Sequence, residues 1–459
     1  MTTQQNASNT FIQAAKWLLP MPFTIAVLLT ALTFLLAWVL TQPEANTTTP
    51  YPLTLLTHWQ TGFWSLLTFA MQMMLMLVLG HVLALTKPAN WLIQQVVKHC
   101  TTTAKAAAFV TLATLLVGLL NWGLGLIFGA ILARKTAEAA LKNSRPLNYP
   151  LIGAAGYVGL MVWHGGLSGS APLKVAEANH FLSTQMGVLP MSTTVFSPMN
   201  LTITAALLTL LPAAMAWLGS RLIPTPTNTL QSRVGVVDWQ RSETSEPPVG
   251  AQHLDQSPWT GWLLGAVILA AAVYQATQTT ASEPLSFLNP NYINFTLLGL
   301  GLLLYGRLDH YITAVEQAIP SAAGIMIQFP LYAGIAGLMQ HSGLITVFSS
   351  WIVTASNEVT YPIFTLLSAG IVNVFVPSGG GQWAVQGPLI VDAAAKIGVP
   401  YAKCVMALAY GDQLTNMIQP FWALPLLGIT RLTAQEILPY TLYLMILGGL
   451  IYTCGLLIF

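Results

Sequence analysis

The chain has 459 residues, 54% of them hydrophobic and only 7% charged, with a net charge of +2 and a mean hydropathy of +0.65. A soluble domain carries roughly 25% charged residues, so 16 Lys+Arg and 14 Asp+Glu cannot cover a water-soluble globule of this length. Soluble enzymes, disordered chains and nucleic-acid binders are excluded, since no basic run is present to grip phosphates, and an all-α polytopic membrane protein is left.

Residues 1–20 read as a cytoplasmic N-terminus. The first apolar run, Met21 to Leu40, spans a bilayer in length and lacks a small-residue cleavage site, so it reads as an uncleaved helix. Further runs follow at 61–86, 106–133, 150–173 and 199–222. Residues 224–257, with prolines, polar side chains and both signs of charge, have the composition of a flexible linker. Beyond it lie runs at 258–280, 291–306, 320–340, 360–395, 402–430 and 438–458. The linker thus divides the chain into halves, 21–223 and 258–459. Three polar interruptions recur at nearly one offset: Gln72 and Gln328, Asn121 and Asn373, His164 and Asp412. That pattern argues for duplication. Cys100, Cys404 and Cys454 lie far apart with no CxxC spacing, which suggests neither a zinc site nor a disulfide framework.

Charge placement sets the expected topology, because Lys and Arg accumulate on the cytoplasmic side. Run 106–133 is flanked by Lys105 on one side and by Arg134, Lys135, Lys142 and Arg145 on the other. A single crossing would place the second cluster outside. A re-entrant hairpin keeps both inside, with arms of about 10 to 15 residues, too short to span. Carried forward, run 360–395 enters from the outer face, and the halves have opposite orientation, as in the inverted repeats of secondary transporters. About nine full spans plus two hairpins are expected.

Four polar, glycine-rich interruptions fall inside apolar runs, where broken helices survive only around a cavity or packed protein. Asn121-Trp122-Gly123-Leu124-Gly125 is the expected tip of the first hairpin. The amide of Asn121 offers an acceptor for a cation and donors for a carboxylate. His164-Gly165-Gly166-Leu167-Ser168-Gly169-Ser170 is expected to unwind, exposing the Ser168 and Ser170 hydroxyls. Pro377-Ser378-Gly379-Gly380-Gly381-Gln382 offers successive backbone N–H groups as an anion-binding nest suited to a carboxylate. The fourth, Gly411-Asp412-Gln413-Leu414-Thr415-Asn416, holds the one carboxylate well inside an apolar run, by default a functional candidate. Asp412, Asn416, Asn373 and His164 form the expected coupling set for Na⁺ or a proton, with the hairpin tips as the places open to Na⁺. No cofactor or resident metal is called for. A competing enzyme reading rests on Gly166-Leu167-Ser168-Gly169, the GxSG pattern of intramembrane serine hydrolases. It needs a base near Ser168, and His164 lies too close in sequence, leaving only His81 or His341.

NWGLGLIFGA, the W-x-GG-x-SGS-x-PL run at 163–173, VPSGGGQWAVQGP at 376–388 and AYGDQLTNMIQPFWALP at 409–425 resemble the short-chain fatty acid transporter family. The likeness covers nearly all of 16–459. It implies a carrier in the bacterial inner membrane for acetoacetate, butyrate and similar small monocarboxylates, a carrier of the same fold for another organic anion being the alternative. The family is in turn similar to a superfamily of homodimeric elevator carriers built on two opposed hairpins and two unwound helices. By that resemblance Asn121 to Gly125 and Ser378 to Gly381 are the hairpin tips, while His164 to Ser170 and Asp412 to Asn416 are the unwound helices. Relative to the family pattern, His164 stands where glycine is frequent, Asp412 where glutamate is usual and Gln382 where histidine is frequent. Na⁺ and H⁺ coupling both stay open.

Overall fold

A computed structural model describes residues 22–43, 49–65, 67–84, 86–177, 180–234, 250–278, 287, 290–347, 356–377 and 379–459. Among these residues all regular structure is helical. Seven segments are long and apolar enough to cross a membrane: Phe23–Leu40, Tyr51–Leu83, Thr103–Leu120, Pro198–Arg221, Pro258–Thr277, Ala323–His341 and Ala434–Ile458. Four apolar helices are shorter.

The helices fall into two packed groups. One comprises α1 (Pro22–Leu40), α2 (Tyr51–Ser65) and α3 (Leu67–Ala84) with, from the second half, α11 (Pro258–Thr277), α12 (Pro290–Tyr305), α13 (Leu308–Ala318) and α14 (Ala323–His341). Small residues let the backbones touch: a Cβ on Gly62 of α2 would lie 2.6 Å from Gly337 Cα of α14. Such contacts replace the hydrophobic drive that is missing between helices in lipid. Side chains join α3 to α12, with Gln72 Nε2 donating to Asn291 Oδ1 at 2.8 Å and Asn294 Nδ2 donating to Gln72 O at 2.8 Å.

The second group holds the interrupted elements. α4 (Lys87–Val97) leads to α5 (Thr103–Leu120) and α6 (Trp122–Lys142), which form a hairpin broken at the single residue Asn121. A Cβ on Gly125 would fall 2.7 Å from Gly118 Cα, and one on Gly129 would fall 2.7 Å from Thr114 Cγ2. The far ends meet as well, since Thr103 Oγ1 accepts from Asn148 N–H at 3.2 Å and donates to Pro146 O at 3.4 Å. The arms are 18 and 21 residues long, not 10 to 15. Helix α6 runs on past Arg134 because its charges are paired: Glu138 takes Arg134 at 3.0 Å and Lys135 at 2.8 Å.

Next come α7 (Tyr149–Tyr157), a tight 3₁₀ turn at Val158–Met161, an irregular stretch at 162–169, then α8 (Ser170–Lys174) and α9 (Pro198–Arg221). Helix α10 (Thr227–Val234) lies inside the stretch expected to be a flexible linker. Its Leu230 and Val234 are buried, and Arg233 donates to Arg431 O at 2.6 Å and Glu436 Oε1 at 2.8 Å. That part of the linker is docked; residues 235–249 lie outside the described set.

In the second half α15 (Tyr361–Phe375) and α16 (Gly379–Ile397) run antiparallel, as cross-bonds from Gln382 Nε2 to Ala369 O at 2.8 Å and from Tyr361 Oη to Ile390 O at 2.9 Å require. They are followed by α17 (Tyr401–Thr415), a 3₁₀ turn at Asn416–Ile418, α18 (Pro420–Thr430) and α19 (Ala434–Ile458). Two expectations need correction here. Asn121 and Asn373 are not counterparts: Asn121 is the break of its hairpin, whereas Asn373 lies within α15. The helix carrying Asp412 does not unwind at 412–416; it continues to Thr415 and breaks over 416–419.

Candidate functional site

The two broken helices meet at a buried pair. His164 Nδ1 lies 2.7 Å from Asp412 Oδ2, with side chains 0% and 1% exposed. The Ala171 N–H, in the first turn of α8, donates to His164 Nε2 at 3.0 Å. That bond fixes the tautomer: Nε2 supplies a lone pair, so the proton is on Nδ1 and is donated to the carboxylate. Trp163 stacks on the imidazole, centroids 4.4 Å apart.

Buried amides and phenols hold both breaks in shape, satisfying backbone groups that a regular helix would pair. At the first break His164 N–H donates to Gln413 Oε1 at 3.0 Å, and Asn200 Nδ2 donates to Gly165 O at 2.8 Å and Val195 O at 2.7 Å. Tyr410 Oη in turn donates to Asn200 Oδ1 at 3.0 Å, Gln413 Nε2 donates to Tyr452 Oη at 2.9 Å, and Tyr452 Oη donates to Met161 O. At the second break the Asn416 N–H turns to Leu414 O, and Asn373 Nδ2 takes the Asp412 carbonyl at 2.8 Å. Asn373 also reaches Asn416 Oδ1 at 2.8 Å and Thr415 Oγ1 at 3.0 Å. Tyr157 Oη donates to Asn416 O at 2.7 Å, and Gln419 Nε2 donates to Asn373 O at 2.8 Å and Val374 O at 2.9 Å.

Both hairpin tips close on the same place. Helix α6 starts at Trp122, whose N–H donates to Ser168 Oγ at 3.0 Å, while Asn121 Oδ1 caps the Leu124 N–H at 3.0 Å. The Trp122 ring stands 6.2 Å from Trp163 and 5.1 Å from Trp422. From the other side α16 begins at Gly379, where an added Cβ would lie 2.6 Å from His164 Cε1 and 2.9 Å from Trp163 Cη2. Two helix N-termini, the positive ends of the helix dipoles, therefore flank Trp163 and His164.

Of the expected site residues, the structure brings Trp122, Ser168, Gly379, His164, Asp412, Asn373 and Asn416 into one network. Asn121 and Gly123 are spent on the tip itself: Asn121 caps its own helix, and a Cβ on Gly123 would fall 2.6 Å from Met76 Sδ. The glycines form the first turn of α16, not a loop, and among the described residues a Cβ on Gly380 would meet only Ser170, at 3.8 Å. Gly381 is exposed. Gln382 turns into its own hairpin, donating to Ala369 O and to Gln386 Oε1 at 2.7 Å. Ser378 lies outside the described residues. Sequence reasoning passed over Asn200, Tyr410 and Tyr452. The signal for Asn200 was a lone amide at the start of an apolar run, behind the cap Ser197-Pro198.

The hydrolase reading lacks its base: Ser168 Oγ accepts from Trp122 N–H at the start of α6, whereas His81 lies in the field of Arg134 and Lys135 further along that helix and the His341 ring lies 5.5 Å from His58. A multi-pass helical protein with interrupted helices meeting at a buried polar site has the architecture of a membrane transporter. Residues 4–459 match the family model described as short chain fatty acid transporter, and the chain belongs to that family. Its relatives include proteins named "Putative short-chain fatty acid transporter". The one from Escherichia coli (strain K12) is 35% identical over 450 residues, 97% of each chain. The one from Haemophilus influenzae is 33% identical over 451 residues, 95% of this chain and 96% of that one. The crystal structure of the YdaH transporter from Alcanivorax borkumensis aligns over 95% of this chain and 98% of that one at 16% identity, with a TM-score of 0.45, too loose a likeness to carry an argument.

Proposed function

We propose that the protein is a secondary active carrier of small monocarboxylates of the acetoacetate and butyrate class, coupled to a cation, in the bacterial inner membrane. The observation that carries this reading is the convergence of the α6 and α16 N-termini on Trp163 and His164. Opposed positive dipole ends favour one carboxylate between them. The ring faces of Trp122, Trp163 and Trp422 supply apolar surface for a short alkyl chain and no second cation for a dicarboxylate. Asp412 is itself an acid, so a bound anion calls for a compensating cation. In the same reading the halves 21–223 and 258–459 form an inverted repeat, the chain assembles as a homodimer, and the hairpin-bearing group slides past the α1–α3 and α11–α14 scaffold as an elevator.

Calorimetric titration of the purified protein tests the substrate assignment. Butyrate and acetoacetate should give saturable heats that compete with one another, while a dicarboxylate gives none. Saturation by a dicarboxylate or an amino acid, with neither monocarboxylate bound, would transfer the site to another anion.

A further inference from the structure

A cleft runs between the start of α1, the start of α19 and the second break. Ile25 lines it from α1, Ile437 and Leu438 from α19, and Met417, Pro420 and Ala423 from the break and α18. Its empty volume is about 410 Å³, open mouth included. We propose that this cleft binds an acyl chain of an anionic phospholipid from the cytoplasmic leaflet, with the lipid phosphate on Arg431.

The lining chemistry favours an apolar guest. Three polar side chains reach the cleft, and their groups are largely spent elsewhere. Tyr157 Oη donates to Asn416 O at 2.7 Å, and Thr441 Oγ1 donates to Leu438 O at 3.2 Å. Gln419 Nε2 donates to the carbonyls of Asn373 and Val374. At most one polar side-chain atom, the unpartnered amide oxygen of Gln419, is left for a guest. An ordered water wants two to four polar partners. An unfilled apolar gap forfeits the dispersion contacts of its lining, and an alkyl chain restores them.

Position and charge name the source of that chain. Both α1 and α19 are long and apolar enough to cross a membrane. Val27 and Leu28 of α1 and Ile446 and Leu450 of α19 are exposed, as lipid-facing side chains are. The cleft therefore adjoins a surface that the bilayer already covers with acyl chains. Arg134, Lys135, Arg233 and Arg431 gather at this end of the molecule, which makes it the cytoplasmic one. Three of these cations meet acids: Arg134 and Lys135 pair with Glu138, and Arg233 pairs with Glu436. Arg431 is exposed, forms no ion pair with a described residue, and stands three residues before Ala434, which lines the cleft. A guanidinium at that depth suits a lipid phosphate. The seated chain touches Ile25 of the first packed group and Met417 and Pro420 of the second, so the lipid becomes part of the seam between them.

The test uses the purified full chain in detergent with phosphatidylglycerol carrying a diazirine on one acyl chain, and phosphatidylcholine with the same chain as the neutral control. After illumination, mass spectrometry should place adducts on 417–423 and 434–441 several-fold above those on 446–450, the exposed stretch further along α19. Unlabelled phosphatidylglycerol should compete away the first set and spare the second. Recognition of the phosphate by one arginine corresponds to about a fivefold preference for phosphatidylglycerol over phosphatidylcholine, and Arg431→Gln should bring that ratio down to about one. Leu438→Trp fills the mouth and should remove the cleft adducts alone; should that variant not fold, the competition in the wild type gives the same answer. Adducts spread evenly along α19, or equal cleft labelling by the two lipids, would overturn the proposal. So would cleft adducts that form only after residues 1–20 are removed, because the chain's own N-terminus would then be the occupant.

Discussion

Gly379 has almost no room for a side chain, whereas its neighbour Gly380 has ordinary van der Waals space. The clash at Gly379 is with the imidazole and indole of the site, so Gly379→Val must displace either the hairpin tip or His164. Overpacking of that kind costs about 1–3 kcal/mol, and we expect Gly379→Val to weaken monocarboxylate binding roughly tenfold or more in calorimetry, at about 1.4 kcal/mol per tenfold. Gly380→Ala should bind as the wild type does, and equal affinity in both variants would remove the tip from the site. Asn200 carries a second residue-scale expectation. Replacing it by Leu leaves the carbonyls of Gly165 and Val195 and the hydroxyl of Tyr410 without their partner. Each unsatisfied buried group costs about 1–3 kcal/mol, so Asn200→Leu should melt several degrees lower in detergent; an unchanged melting temperature would show that water replaces the amide. At this scale the sequence was legible where cost betrays purpose. A carboxylate in an apolar run and a triple glycine after proline are both expensive, and both are at the site. Asn200, Tyr410 and Tyr452 were not legible, because lone amides and phenols in apolar runs are ordinary until their partners from distant segments are known.

At the scale of elements, each break is made by pairing across segments. Helix α17 passes through Asp412, whose carboxylate meets His164, without unwinding, and it opens four residues later, where Asn373 takes the Asp412 carbonyl and Tyr157 the Asn416 carbonyl. Composition located this break to within one turn and misplaced its centre, since a polar side chain marks a place where a helix can be opened, not where its hydrogen bonds stop. The first hairpin was legible in its turn, Asn121, but not in its length. Charged residues looked like an end, yet Arg134 is buried against the C-terminus of α18, donating to Ile429 O at 2.8 Å. Because Thr103 meets Asn148, the two ends of the hairpin lie on one side. In a background lacking Cys100, Cys404 and Cys454, Thr102→Cys and Asn143→Cys should therefore label from the same membrane face. Labelling from opposite faces would abolish both the re-entrant hairpin and the opposed orientation of the halves.

For the whole molecule, the sliding reading depends on contacts between the two packed groups being separable. Aromatic and sulfur contacts dominate this seam: Phe329 of α14 stacks on Phe421 of α18 at 3.8 Å, and Met76 of α3 meets the tip at Gly123. A Cβ built on Gly80 of α3 lies 3.8 Å from Ile127 Cβ of α6, within disulfide range. Oxidised Gly80→Cys/Ile127→Cys should hold the groups together and stop transport reversibly, the reduced double variant remaining active; full transport with the bond formed would mean that the groups do not slide there. The central claim is that this site carries small monocarboxylates across the membrane, and counterflow measures it most directly. Proteoliposomes loaded with unlabelled acetoacetate should accumulate radiolabelled acetoacetate transiently above the rate of protein-free vesicles. External butyrate should suppress that accumulation, and Gly379→Val should abolish it. Labelled acetoacetate entering only at the protein-free rate, with or without a proton or Na⁺ gradient, would contradict the account.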